Sequence, residues 1–304
     1  MIDPLIEALE RGLSDPDTDA RRLFHGRGRC YPGLEQVTVD LLGPVLLVTL
    51  FREPESDLLT PIEALARGHD RVEGLLVQHR YRAGAPNECR YGTVPETLVV
   101  TEQGLRYEVR LDRHQNSGLF LDMAEGRRWL RTHAEGCNVL NLFAYTCGFS
   151  VAALAGGAEA VVNLDMSRGA LNRGRENHRL NEHELRRVRF LPHDLFRSWG
   201  RLKKLGPYQR VIVDPPSFQR GSFVAGKDYV RVLRRLPEVL ADEAQVLLCL
   251  NDPAFGPEFL IEAMAEACPR AVFAERLPTP AVFAEQDPAR GLKVLRFTYS
   301  ASSQ

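Results

Sequence analysis

Three carboxylates follow short apolar runs in this 304-residue chain: Asp165 after AVVNL, Asp194 after VRFLPH, and Asp214 after RVIV. A carboxylate at the end of a second buried strand can accept hydrogen bonds from both hydroxyls of a ribose. The acid after a third strand can take the amino hydrogen of an adenine. Each of the first two also reads as a helix cap, so the set of three carries more weight than any one of them. Asp214 opens the run Asp214-Pro215-Pro216-Ser217-Phe218. Consecutive prolines cannot continue a sheet ladder and fix the backbone, so the run makes a stiff loop at a strand end. Such a loop suits chemistry that depends on alignment, an in-line group transfer in which a nucleophile is held close to the reacting carbon. A fourth stretch, Asn141-Leu142-Phe143-Ala144-Tyr145-Thr146-Cys147-Gly148, ends in a glycine that lets the chain turn tightly into a helix and cradle an amino-acid tail. The GxGxxG and GxxxxGK[ST] phosphate patterns are missing, which favours a ligand without a pyrophosphate.

The elements that must position these residues alternate from residue 122 onward. Helices are predicted in MAEGRRWLRTHA, VAALAGGA, ALNRGRENHRLN, DLFRSWGRLKKL, DYVRVLRRLPEVL and PEFLIEAMAEA. Strands are predicted in CNVLNLF, AVVNLD, VRFL, RVIVD and QVLLCL, with two late β segments near Val272 and in LKVLRFTY. Short apolar strands between helices predict a mostly parallel sheet covered on both faces, a doubly wound α/β domain of Rossmann-like type. Ligands of such sheets sit beyond the carboxyl ends of the strands, where the carboxylates stand.

Upstream, residues 37–51 and 96–111 each hold two apolar runs around a Gly-Pro or Gln-Gly turn and predict β-hairpins. A helix is expected over Leu58 to Arg71 and a strand over Gly74 to His79. The predicted organisation is a helical segment at 1–19, a small β-rich α+β accessory domain at 20–115, and the α/β domain at 116–304, divided at the polar connection near Arg113 to Gly118.

Composition bounds what the chain does. With 44% hydrophobic and 26% charged residues it can bury a sizeable core, and no apolar run approaches the ~20 residues that span a bilayer. No signal peptide is expected from MIDPLIEALERG, and six scattered cysteines without CxxC spacing point to a reducing cytoplasm and to neither zinc nor disulfides. A net charge of −1 leaves nucleic-acid binding to local basic patches. Two exist: Arg21, Arg22, His25, Arg27 and Arg29, and then His79, Arg80, Arg82, Arg90 and Tyr91. Each reads equally as a solvated face. The oligomeric state is not legible.

The runs NLFAYTCGFSVAALAGGA, VVNLDMS, RENHRLN, HDLF and VIVDPPSF, with GLFLDM and RGRCYPGLEQVTVD upstream, resemble the bacterial 23S ribosomal RNA large-subunit methyltransferases of the class I fold, which use S-adenosyl-L-methionine (AdoMet). The resemblance covers most of the chain. It implies that Asn141, Phe143, Ala144, Tyr145, Thr146 and Gly148 hold the methionine part of AdoMet, that Asp165 takes the ribose, and that Asp194 lies near adenine. It also implies that Asp214, Pro215, Pro216 and Phe218 line the target-base pocket, that Asp214 touches the cofactor as well, and that Phe120 and Asp122 close over the cofactor. Ribosomal RNA then becomes the expected partner, through Arg21, Arg22, Arg27, Arg29, Arg80 and Arg82; a methyltransferase acting on protein or a small molecule is the alternative. Cys147 stands where relatives usually have a second small glycine. No separate N-terminal RNA-binding module of the kind some relatives carry is expected.

Carbon-5 methylation of cytosine needs a thiolate that adds to the ring. Cys249 lies inside the predicted strand, and Asn251 stands where relatives making 5-methylcytosine have a second cysteine. Relatives that methylate a ring nitrogen of guanine resemble this chain in having asparagine there. The reading is a nitrogen target, with Cys249 as a buried core residue.

Overall fold

The computed structural model describes residues 2–112, 116–216, 218–219 (backbone only) and 223–302. The chain divides into two compact units: residues 2–122 with Pro280–Pro288, and Met123–Thr279 with 289–302.

The first unit begins with helix α1 (Asp3–Ser14), whose Leu5, Leu9 and Leu13 recur at helical spacing and are all buried. A five-stranded sheet follows in the order β1-β2-β3-β4-β5, from β1 (Arg21–His25), β2 (Val37–Leu42), β3 (Val45–Leu50), β4 (Gly74–His79) and β5 (Asn87–Gly92). Helix α2 (Leu59–Arg67) makes the crossover that lets β3 and β4 run parallel, and the other pairs are antiparallel. The Gly43-Pro44 turn joins β2 to β3, and Gln103-Gly104 joins the separate hairpin of β6 (Thr97–Glu102) and β7 (Leu105–Arg110). Strands β1 and β5 have no counterpart in the sequence reading, because RRLFH and NECRYG are too polar to show a period of two.

The division falls at Asp122 rather than at residue 115, and residues 280–288 rejoin the first unit across a long separation in sequence. The cause is local. Phe283 packs on the His25 ring at 5.1 Å and under the Arg22 guanidinium at 4.8 Å, and the Gln286 N–H donates to the Gly28 carbonyl at 2.7 Å.

The second unit opens with helix α3 (Ala124–His133), then β8 (Asn138–Leu142), α4 (Gly148–Ala155), β9 (Ala160–Leu164), α5 (Arg168–Leu180) and β10 (Val188–Leu191). It continues through α6 (Trp199–Leu205), β11 (Tyr208–Val213), a short hairpin of β12 (Phe218–Gln219) and β13 (Phe223–Val224), α7 (Ala225–Leu233), β14 (Leu240–Leu250), α8 (Pro257–Ala267), β15 (Ala271–Arg276) and β16 (Lys293–Ser300). The seven-stranded sheet has the order β10-β9-β8-β11-β14-β16-β15, with β16 alone running antiparallel to its neighbours. Strand order reverses between β8 and β11, so the crevice of a doubly wound sheet opens beyond their carboxyl ends.

Three predicted helices are shorter than expected: the one expected over Leu58 to Arg71 spans only Leu59–Arg67, and two in the second unit break or stop early. DLFRSWGRLKKL divides into a 3-10 turn at Leu195–Arg197 and α6, because Asp194 caps the turn and the Ser198 hydroxyl bonds back to the Asp194 carbonyl at 2.6 Å. DYVRVLRRLPEVL stops at Leu233, since Pro237 cannot donate within a continuing helix. Among the described residues no helix is long and apolar enough to cross a membrane.

Candidate active site

Strand β8 ends in a loop whose backbone is unusual. Phe143, Tyr145 and Cys147 hold φ values of 58°, 46° and 62°, a left-handed region that non-glycine residues avoid at a cost of roughly 1–3 kcal/mol each. Such a conformation persists only where its surroundings fix it. The Ala144 N–H donates to the Leu164 carbonyl at 3.0 Å, the Cys147 N–H to the Ala144 carbonyl at 2.7 Å, and the Tyr145 N–H to Asp165 Oδ2 at 2.9 Å. Cys147, in the position the resemblance gives to glycine, is wholly buried, and burial pushes its thiol pKa well up. Gly174 on α5 makes room for it: a Cβ there would stand 2.3 Å from the sulfur.

Asp165 follows β9 and is half-buried. Its Oδ1 accepts the Ser167 N–H at 2.7 Å, and Ser167 in turn caps α5 by accepting the Ala170 N–H at 3.2 Å. The helix cap is therefore Ser167, and Asp165 ties the end of β9 to the β8 loop. Each of its oxygens has taken one backbone donor and retains a lone pair, enough for two vicinal hydroxyls. A strained backbone cradle beside such a carboxylate, without a glycine-rich phosphate loop, fits the methionine and ribose parts of AdoMet.

Asp194 has a different first duty. Its Oδ1 accepts the Phe196 N–H at 2.7 Å, so the capping alternative is what the structure shows for that oxygen. Asp214 follows β11, half-buried, with Pro215 buried and Pro216 exposed after it. Ser217 lies outside the described residues, and for Phe218 only the backbone is described, pairing with Val224 in the β12–β13 hairpin. Beyond the hairpin an aromatic row runs inward: Phe143 meets Phe223 at 5.1 Å, Phe223 meets Tyr229 at 5.5 Å, and Tyr229 meets Phe259 at 6.4 Å. The Tyr229 hydroxyl donates to the Cys249 carbonyl, joining α7 to the end of β14, and burial raises its pKa well above the usual phenol value.

Cys249 itself is fully buried. It packs with Leu130 of α3 and with Phe149 and Ala153 of α4, whereas its neighbours Leu248 and Leu250 belong to the cluster on the other face of the sheet.

Asn141, expected on AdoMet, is buried and heads a chain of polar side chains through Asn163, Ser150, His178 and His183, residues not expected in the site. Asn141, matched in register with Asn163, donates to the Asn163 Oδ1 at 2.9 Å; Asn163 donates to the Ser150 Oγ at 2.9 Å. Ser150 lies 2.8 Å from His178 Nε2, and His178 Nδ1 is 3.0 Å from His183 Nδ1. Burial, with His183 beside it, pushes His178 down to about 3, so the ring is neutral. Two asparagines at matching places in adjoining apolar strands, NVLNL and AVVNL, were the available signal.

In the first unit, the arginine clusters are only partly free. Arg22 makes a two-pronged pair with Asp40 at 2.7 and 3.0 Å, and Arg21 pairs with Asp17 at 3.2 Å. Arg90 bonds Glu63 and Glu88 at 3.0 and 3.1 Å. Arg22 Nη1 donates to His25 Nδ1 at 2.8 Å, which requires a neutral ring; burial, with Arg22 and Arg27, lowers His25 to about 3, so its 3.7 Å approach to Glu285 is no ion pair. Arg27 and Arg80, from different clusters, both lie on the Phe51 ring, at 4.1 and 5.4 Å. Arg27, Arg29 and Arg82 are exposed. Phe120, exposed, and Asp122, whose charge favours the Arg22 guanidinium, belong to this unit too.

The sequence matches the S-adenosylmethionine-dependent methyltransferase family over residues 21–298. It is 31% identical, over 88% of its length and 70% of the relative's, to a Bacillus subtilis (strain 168) protein provisionally named ribosomal RNA large subunit methyltransferase YwbD. Against ribosomal RNA large subunit methyltransferase I of Erwinia tasmaniensis it is 32% identical over 66% of this chain and 52% of that one, so it spans about half of that relative. The crystal structure of SMU.776, a provisionally named methyltransferase complexed with SAH, shares the fold with a TM-score of 0.86 at 24% identity, covering 98% of this chain and 81% of that one. The matched span takes in the whole β8 loop, Asp165 and Asp214, and the chain belongs to the S-adenosylmethionine-dependent methyltransferase family.

Proposed function

We propose that this protein methylates a base of ribosomal RNA at a ring nitrogen, in the cytoplasm. The observation that carries the reading is the gathering of the Asn141–Gly148 loop, Asp165 and Asp214 at the carboxyl ends of three adjoining strands, β8, β9 and β11. The names of the Bacillus and Erwinia relatives support the substrate class.

AdoMet supplies an electrophilic methyl group on a sulfonium. Loop 141–148 holds its amino-acid end, Asp165 its ribose hydroxyls, and the free oxygen of Asp194 the adenine amino group. A ring nitrogen already carries a lone pair, so the chain has only to align it, exclude water and take up any proton it sheds. Asp214 holds the base edge, with Pro215 and Pro216 stiffening its loop; the stacking on a turned-out base that the resemblance gives to Phe218 falls on a side chain outside the described residues. Carbon-5 chemistry would need a thiolate, and Cys249 faces the core beneath α3 and α4. The exposed Arg27 and Arg29, with Arg80 on the Phe51 ring and Arg82 in a long, exposed pair with Glu53 at 3.9 Å, are suited to backbone phosphates, whereas Arg21 and Arg22 are held by closer carboxylates of their own unit.

Comparison of modified nucleosides in ribosomal RNA from cells with and without the gene tests this directly. One methylated purine should disappear with the gene; an unchanged nucleoside profile would contradict the reading.

A further inference from the structure

Helix α5 supplies none of the residues expected to touch AdoMet, yet its inner face bears on the cofactor loop at two points and on α4 just after it at a third. Gly174 leaves the space that the Cys147 sulfur fills. Asn177, fully buried, donates from Nδ2 to the Thr146 carbonyl at 2.9 Å. His178, also fully buried, meets Ser150 on α4. The polar chain through Ser150 is continuous. The Ser150 oxygen accepts from Asn163 and lies 2.8 Å from His178 Nε2, and His178 Nδ1 lies 3.0 Å from His183 Nδ1; the ring tautomers decide which atom donates in these two bonds. The chain of bonds links Asn141 at the loop's root to His183 beyond the end of α5.

The loop needs such support, because three of its five residues from Phe143 to Cys147 are left-handed without being glycine. Asp165 and Leu164 hold it from the β9 side, and Asn177 holds the peptide that those two do not reach. We infer that Asn177, with the Asn163–Ser150–His178 chain, is a positioning residue that sets AdoMet affinity by fixing the loop's backbone from α5. The inference rests on the reading that loop 141–148 holds AdoMet.

The test uses the full chain, with AdoMet and S-adenosylhomocysteine binding followed by calorimetry, steady-state kinetics on ribosomal RNA, and thermal unfolding. Asn177→Asp keeps the side chain's shape but sets an acceptor against the Thr146 carbonyl. It is expected to raise the Kd and KM for AdoMet at least tenfold while kcat at saturating AdoMet stays within threefold. Leu260→Ala, in the core under α8, is the control: it should lower Tm and leave the AdoMet Kd within twofold. If Asn177→Asp fails to fold, Asn181→Ala removes the bond to the Asn177 carbonyl at 2.8 Å and should raise the Kd about threefold. Variants of α5 that lower Tm like Leu260→Ala without moving the Kd would overturn the inference. Asp165→Ala separates the two failures: if it weakens binding and Asn177→Asp does not, only the positioning role falls, whereas if neither does, the reading of the loop falls with it.

Discussion

At the scale of single residues, the carboxylates turn out to have unequal duties. Asp165 ties two backbone N–H groups and keeps lone pairs for a ligand, while Asp194 spends one oxygen on a turn. Replacing Asp165 with alanine removes charge-assisted hydrogen bonds and releases the Tyr145 N–H from a strained loop. AdoMet binding should weaken by at least ~1.5 kcal/mol, more than tenfold in Kd, by calorimetry on the folded variant. Unchanged affinity would remove Asp165 from the ribose site. The acids were legible because each ends an apolar run; what each one bonds was not, because a cap and a ligand contact use the same residue type at the same place. The left-handed Phe143, Tyr145 and Cys147 were invisible for a related reason, since sequence signals of positive φ rely on glycine and asparagine.

Among elements, the contact of α5 with the β8 loop gives two expectations. Gly174→Ala puts a methyl 2.3 Å from the Cys147 sulfur, so it should cost about 1–3 kcal/mol in urea unfolding. Cys147→Gly removes that sulfur and suits a φ of 62°. The double variant should then recover at least ~1 kcal/mol relative to the sum of the single changes, and additivity would show that the two residues do not share one space. The second expectation concerns pH. His178 takes its proton near pH 3 in the folded chain but near 6.5 when unfolded, so below 6.5 the unfolded state binds the extra proton. Stability is therefore flat above pH 6.5 and falls as pH drops, by up to about 1.4 kcal/mol per pH unit for this ring. Urea midpoints from pH 7.5 to 5.5 should show this, and His178→Gln should flatten the lower part of the curve if it folds. Element types were read well where hydrophobic period and turn residues agreed, as in α1, the two hairpins and the βα alternation. They were misread where side chains act against the pattern, as with the Asp194 cap and Pro237, or where the pattern is hidden, as in polar β1 and β5.

On the scale of the whole molecule, the arginines of the first unit are re-sorted by folding. They stand in two runs of the sequence, but Arg27 and Arg80 come together on Phe51, while Arg22 turns to Asp40. Only pairing across the sheet decides that, and no local spacing encodes it; the return of residues 280–288 to the first unit is hidden in the same way. Arg27→Ala and Arg80→Ala should each weaken RNA binding across sequences and lower the salt slope by about one, with AdoMet affinity unchanged. Arg22→Ala should instead lower stability by about 3–5 kcal/mol, because it leaves Asp40 buried without its partner. Filter binding at several salt concentrations, with thermal unfolding alongside, distinguishes the two classes. The strand-end site is proposed to transfer methyl from AdoMet to ribosomal RNA without a cysteine nucleophile. The most direct measurement of this step is transfer of radiolabelled methyl from AdoMet to purified, unmodified ribosomal RNA by the full chain and by its Asp214→Ala and Cys249→Ala variants. Stoichiometric labelling of one purine is expected, with loss of at least ~100-fold in rate for Asp214→Ala while the fold is retained, and a rate within a few-fold of the parent for Cys249→Ala. Absence of label in RNA, or an inactive Cys249→Ala protein that still binds AdoMet, would contradict the proposal.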